Sequence, residues 1–163
     1  MMMLLFNVDC ERFAMDVADV VELVPCVTLQ HLPKAPDYIS GLMNYRGNIV
    51  PVVDLGMLVG EGPVRVLMSS RIILTKPVKT ENRYIGLLAE KVTETKRISP
   101  EEFTGTGVKA DACAFVDKIV MDSAGMIQVI NLQKLLPDDV NIMLNEKAGE
   151  SGCSPAEGGE DVA

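Results

Sequence analysis

An all-β protein with short helices, built as two small barrels of about five strands each, is what the sequence predicts. Three observations lead there. Most apolar runs are short, rich in Val and Ile and bounded by turn residues, which is the pattern of strands. Two segments recur in the same order along the chain: Arg12–Asp19 is echoed by Arg83–Glu90, and Ile49–Leu55 by Met126–Leu132. Each half so defined holds about five strands, and five short strands close readily into a barrel that leaves no free sheet edge.

The elements follow in order. Leu4–Val8 and Arg12–Asp16 flank Asp9-Cys10-Glu11 and form a first hairpin. Val20–Thr28 is a longer strand, and Lys34–Asp37, bounded by prolines, is a turn or one helical turn. Gly41–Arg46, the pair Gly47-Asn48 and Ile49–Asp54 give strand, turn, strand, with Gly47 suited to a positive φ. Leu55–Val59 is too short for a stable isolated helix but fits a docked turn. Gly60–Pro63 is a loop. Arg71–Lys76 and Arg83–Glu90 pair across residues 77–82, and Val92–Ile98 continues as a strand. Ser99-Pro100-Glu101-Glu102 carries a helix-start signature. Thr104–Ala112 is a loop, Phe115–Met121 and Met126–Ile130 form a hairpin, and Leu132–Leu136 and Pro137–Leu144 are helical candidates. The expected organisation is one domain over residues 1–144, made of two pseudo-repeated subdomains, and a disordered acidic tail over residues 145–163. The tail is too rich in Gly, Ser and Glu to bury an apolar core.

Composition narrows the function. With 163 residues, 48% of them hydrophobic, the chain buries roughly 70% of its unfolded surface and needs neither disulfide nor metal to fold. The net charge is −8, half of it in the tail, and no cluster of Lys and Arg offers a footprint for phosphate, so nucleic acid is not an expected partner. The apolar start, Met1–Val8, has no basic flank and no cleavage site, and no run of 18 apolar residues exists. A cytoplasmic protein without membrane insertion is expected. Cys10, Cys26, Cys113 and Cys153 lack metal-ligand or redox spacing.

Catalysis finds no support. His31 is the single imidazole, stands in a loop before Leu32-Pro33, and has no nucleophile motif to serve. Asp16 with Asp19 and Glu101 with Glu102 are turn and first-turn acids, and Asp54 precedes a helical turn that it can cap. Gly105-Thr106-Gly107 lacks the remainder of a phosphate loop. No enzyme and no cofactor is expected. Ten methionines are many for this length; at least half should fill the core, and some could line a contact groove as adaptable side chains. The unusual stretch is Asn44-Tyr45-Arg46-Gly47-Asn48-Ile49-Val50-Pro51, polar and glycine-bearing among apolar strands. Pro51 cannot donate to a ladder and predicts a sheet edge or a bulge. Arg46 at the turn and Glu22 within an apolar run could each be no more than a solvated charge.

At this stretch the sequence resembles the CheW family, the coupling proteins of bacterial chemosensory arrays. Ile39 to Leu55 matches the family's central signature, G-x-x-x-x-R-G-x-x-x-P-V-x-D-L. Arg12-Phe13-Ala14-Met15 with Val20-Val21-Glu22-Leu23 fits its opening hairpin and strand, and Gly86-Leu87-Leu88 with Val92 fits its second half. The resemblance covers about Leu4 to Leu136. Tyr45 stands where a leucine or another aliphatic residue is common. Met-Ser-Ser-Arg at 68–71 and the Thr-Gly-Thr-Gly loop look more like coupling proteins of alternative systems, governing surface behaviour or a second messenger. The resemblance implies two interlocked, SH3-like five-stranded barrels. It also implies a non-catalytic adaptor bridging the tip of a methyl-accepting chemoreceptor to the regulatory domain of a CheA-type histidine kinase. By matching positions, Glu22 and Arg46 correspond to a charged pair beside the receptor-binding groove, with Gly47 in the adjoining turn and Val20 and Val92 as apolar positions nearby.

Overall fold

A computed structural model describes residues 1–59, 62–76, 83–105 and 115–135. β1 (Met2–Val8) and β2 (Glu11–Asp16) form the expected hairpin, with Phe6 opposite Phe13 and Leu5 opposite Ala14. Asp9 makes the turn at a φ of 56°, a left-handed conformation that short polar side chains tolerate. A 3-10 turn over Val17–Asp19 follows, capped by the Asp16 carboxylate, which accepts from the Ala18 N–H at 2.9 Å.

β3 (Val20–Pro25) stops three residues short of its predicted end, at a proline. β4 (Ile39–Tyr45), β5 (Asn48–Asp54), the one-turn helix α1 (Leu55–Val59) and β6 (Arg71–Thr75) then lead to β7 (Ile85–Arg97). β7 takes in both expected runs, Arg83–Glu90 and the continuation Val92–Ile98, apart from their outermost residues. It is one strand of 13 residues, bent where Lys91 takes a φ of 48°. Before the bend it pairs with β6 and β5, and from Glu90 onward with β1. A 3-10 turn at Pro100–Glu102, where Glu102 accepts from the Ser99 N–H, precedes β8 (Thr104–Gly105). β9 (Val116–Asp122) and β10 (Gly125–Ile130) form the last hairpin, and Leu132–Lys134 a closing 3-10 turn.

The chain is thus mostly β, as expected, but the two closed barrels are not present. The strands run β3-β6-β7-β1-β2-β10-β9-β8, with β5 on the flank of β7 and β4 beyond it, and the order does not return on itself. The physical reason lies at the ends. Pro25 ends β3, and the proline-bearing segment after it reaches β4 through a single bridge, Gln30 to Leu42, not a ladder. At the other end β8 has two residues and pairs only with β9 among the described residues. Side chains do part of what backbone pairing does not. Asp122, at the end of β9, takes Arg12 of β2 at 2.8 and 2.9 Å and Lys96 of β7 at 3.2 Å, strapping the curled sheet across its opening.

Register shifts at Leu5/Asn7, Val20/Glu22, Ile39/Gly41 and Val129/Ile130 give the sheet its curl. The curl makes two lobes. The first lobe (β3 to β6 and the start of β7) encloses Met43, Val50, Val52, Val64, Ile72, Leu74 and Leu88. The second (β1, β2, the end of β7, and β8 to β10) encloses Met3, Leu5, Ala14, Ile98, Val120, Ile127 and Val129. Between them lies a larger core drawing on both, including Phe6, Phe13, Met15, Val53, Leu87, Val92 and Ile130. The four echoed segments meet in two parallel ladders: β2 beside β10, with Val129 opposite Ala14, and β5 beside β7, with Val52 opposite Gly86. The two registers correspond to within one residue of the echo.

One further expectation is corrected. Pro51 lies at neither an edge nor a bulge. It sits in β5, which has partners on both sides, opposite Leu42, and is tolerated because the ladder to β7 begins one residue later at Val52. Among the described residues Met3, Met15 and Met43 are buried, whereas Met1, Met2, Met68, Met121 and Met126 are exposed. Met121 and Met126 oppose each other on the outer side of the last hairpin, since Val120 and Ile127 beside them point into the second lobe. The expected loop at 104–112 opens instead as strand β8 at Thr104–Gly105, held to β9; its remainder at 106–112, the turn at 77–82, the helix at 137–144 and the disordered tail at 145–163 lie outside the described residues.

Candidate partner-binding surface

The site starts from a turn. β4 and β5 are joined by Arg46 and Gly47, with Tyr45 paired to Asn48. Arg46 has a φ of 50° and Gly47 of 88°, the two positive values that a two-residue hairpin of right-handed twist demands. The turn therefore falls one residue before the predicted Gly47-Asn48. The Asn44 side chain fixes it by accepting from the Gly47 N–H at 2.8 Å. Holding a non-glycine residue left-handed costs about 1–2 kcal/mol, and here it lifts the Arg46 side chain onto the surface, 77% exposed.

Glu22 comes to meet it from β3. Val20 of that strand packs against the central core and Val24 against the first-lobe core, while Glu22, which follows the register shift after Val20, is exposed. The Arg46 guanidinium lies 3.9 Å from the Glu22 carboxylate, which is itself 45% exposed. The same carboxylate oxygen accepts the Tyr45 hydroxyl at 2.5 Å. That hydrogen bond raises the Tyr45 phenol above its ordinary value, burial adds to the rise, and the Arg46 charge opposes it. Arg46 sits 5.2 Å from the centre of the Tyr45 ring. Tyr45 meets Tyr84 edge to face at 5.8 Å, and Lys76 stands 5.7 Å from the Tyr84 ring. Arg46, Tyr45, Tyr84 and Lys76 form a row, with Glu22 at one end. Val21, Leu23 and Ile49 are exposed apolar side chains on the strands that carry it.

The structure thus brings together Glu22, Arg46 and Gly47 and places Val20 on the same strand as Glu22. Val92 is in a different setting. It is 5% exposed in the central core, with its N–H donated to the Ser69 carbonyl. Sequence reasoning did not single out Tyr45 and Tyr84 as site residues; the available signal was an amphipathic aromatic inside a polar turn, which seeks a hydrogen-bond partner for its hydroxyl. Asp54, expected as a cap, accepts from the Met57 N–H at 3.2 Å and also from Val64, which ties down the loop after α1. His31 is exposed. A cavity of about 190 Å³ opens between Met3, Asp16, Phe103, Lys118 and Leu132 and includes none of the five site residues. Among the described residues no group of His, Cys, Asp and Glu could hold a metal, and no helix is long and apolar enough to cross a membrane.

Two curled sheet lobes with a shared core, displaying a charged and aromatic row on an exposed turn and strand, define a β-sheet protein-interaction module. More specifically, the chain belongs to the CheW-like domain family, whose profile matches residues 2–140. Among its relatives, Chemotaxis protein CheW of Rhizobium meliloti is 27% identical over 140 residues, 82% of this chain and 86% of that one. Protein FrzA of Myxococcus xanthus is 27% identical over 128 residues, 78% of each. The crystal structure of the scaffolding protein TtCheW from Thermoanaerobacter tengcongensis superposes with a TM-score of 0.76 at 30% identity, covering 85% of this chain and 89% of that one. Proteins of this family are non-catalytic adaptors that link chemoreceptors to the CheA kinase, and this chain is one of them.

Proposed function

We propose that this chain couples the cytoplasmic tip of a methyl-accepting chemoreceptor to the regulatory domain of a CheA-type histidine kinase, in the cytoplasm. Val20, Glu22, Arg46 and Gly47 supply the receptor contact, and Val92 supports it from the core. The observation that carries this reading is the meeting of Arg46 and Glu22 at 3.9 Å on an exposed surface, although 24 positions separate them. Two lobes give the adaptor two faces, and a stable contact needs about 800 Å² on each partner's side. With a net charge of −8 and no basic cluster, neither nucleic acid nor membrane insertion enters the proposal.

The test is a pull-down with a receptor-tip hairpin fragment from the same genome. Arg46→Glu reverses a charge on an exposed turn and leaves the core untouched, so its circular dichroism stays native. Receptor binding is expected to fall by about tenfold or more. Full retention of binding by this variant removes the proposed site.

A further inference from the structure

Arg46 and Glu22 approach only to 3.9 Å, while Tyr45 donates its hydroxyl to that same Glu22 oxygen at 2.5 Å. Both donors converge on one carboxylate oxygen, and the phenol has the closer place. Arg46 is left 77% exposed and, among the described residues, donates no hydrogen bond. Its guanidinium is nonetheless positioned, because it sits 5.2 Å from the Tyr45 ring centre and its backbone is held in the turn by Asn44. An arginine resting against an aromatic ring keeps its in-plane N–H fork for another group, and the group that matches the fork is a carboxylate.

We infer that Tyr45 is a specificity-determining residue: it occupies Glu22 and so reserves Arg46 for a carboxylate on the docking partner. Tyr45 does two jobs with one side chain, the hydroxyl engaging the internal acid and the ring supporting the cation. Lys76, 5.7 Å from the centre of the adjoining Tyr84 ring, extends the row with a second cation. The partner that fits is therefore a helical surface with acidic side chains, not a basic or purely apolar one. This rests on the receptor-docking reading above and names the chemistry that the docking selects.

The decisive experiment is a cycle of variants assayed for binding to the receptor-tip hairpin, run beside a titration that needs no receptor. Tyr45→Phe keeps the ring and removes the hydroxyl. Glu22 is then free to draw in Arg46, and binding is expected to weaken by about fivefold, the scale of one exposed charge contact. Tyr45→Phe combined with Glu22→Gln removes the internal competitor, and binding is expected to return to near the wild-type level. A loss of structure would not be repaired by a second substitution of this kind. In the receptor-free arm, carbon-13 tyrosine resonances are followed against pH, with Tyr45 assigned by its absence from Tyr45→Phe. Tyr45 titrates above the ordinary tyrosine range in wild type and lower in Glu22→Gln. Wild-type binding by Tyr45→Phe, no recovery in the double variant, or an unmoved titration each overturns the role of Tyr45 while leaving the docking site standing. Unchanged binding by Arg46→Ala overturns the docking reading, and with it the carboxylate assigned to Arg46.

Discussion

Arg65 holds Glu90 by both its backbone N–H, at 3.1 Å, and its side chain, at 2.9 Å. Glu90 is buried, with its side chain 2% exposed, and it stands next to Lys91, where β7 bends from one lobe to the other. Burial alone would raise its carboxyl. The Arg65 side chain and backbone, with the Asp9 backbone, more than offset that and hold it below its ordinary value of 4.5. A carboxyl lowered on folding contributes stability above its unfolded value and loses the contribution as pH falls through the folded value. Glu90→Gln is therefore expected to flatten the acid limb of the stability curve below about pH 4.5. Glu90→Ala should cost about 2 kcal/mol at neutral pH, less than a fully buried pair because Arg65 is largely open to solvent. Urea unfolding at a series of pH values tests both, and parallel acid limbs for wild type and Glu90→Gln would refute the assignment.

Asp122 is the clasp of the second lobe. Its carboxyl is held well below the carboxylate range, chiefly by the Arg12 side chain, with burial opposing and Lys96 and the Ala124 N–H assisting. Asp122→Asn gives up the ionic strap between β9, β2 and β7. Amide hydrogen exchange is expected to quicken across Val116–Asp122 and Gly125–Ile130 while β3 to β6 keep wild-type protection. Uniform quickening of both lobes would contradict a local strap.

How far the sequence spoke for itself differs from feature to feature. The β1–β2 hairpin was legible because two apolar runs flank a polar turn, although Glu11, placed in that turn, opens β2 opposite Val8. The turn at Arg46-Gly47 was placed one residue late. Gly47 advertises a positive φ, but register there is decided by Tyr45 pairing with Asn48 and by the Asn44 side chain, which no local pattern reveals. The bend in β7 was not legible because a left-handed lysine is indistinguishable in sequence from an ordinary surface lysine. Closed barrels were expected from strand count, yet closure depends on the segments outside the strands. Pro25 and a two-residue β8 leave the ends unpaired with each other. Glu22 and Arg46 were singled out through family resemblance. Tyr45 was missed as their organiser because its hydrogen bond to Glu22 spans 23 positions.

Two glycines should fail for different reasons. A Cβ on Gly56 would stand 2.2 Å from the Gly62 carbonyl oxygen and 3.1 Å from the Val64 N, backbone atoms that cannot swing away. Gly56→Ala is expected to cost about 1–3 kcal/mol through displacement of the loop that Asp54 and Glu90 hold. A Cβ on Gly47 would meet nothing within 4 Å, so only its φ of 88° resists substitution. Gly47→Ala should cost about 1 kcal/mol. Chemical denaturation of the two variants orders them, and a Gly47→Ala loss exceeding that of Gly56→Ala would reverse the account.

Val92 and Arg46 belong to the same proposed contact and yet should behave differently when changed. Arg46 is on an exposed turn, so its loss reaches the receptor directly and leaves the unfolding midpoint near that of wild type. Val92 is enclosed among Phe6, Met15, Val53 and Leu87 in the core shared by both lobes, and its N–H fastens the loop at Ser69 to β7. Val92→Ala removes two methyl groups from that core and is expected to cost about 2 kcal/mol. Any binding defect it shows should shrink under conditions that restore stability, such as added sulfate. Arg46→Ala should not be rescued in that way, since high salt screens the charge it already lacks. Measuring receptor-tip binding and unfolding midpoint for both variants, with and without sulfate, separates direct contact from support. A Val92→Ala variant that is as stable as wild type and still deficient in binding would place Val92 at the receptor itself.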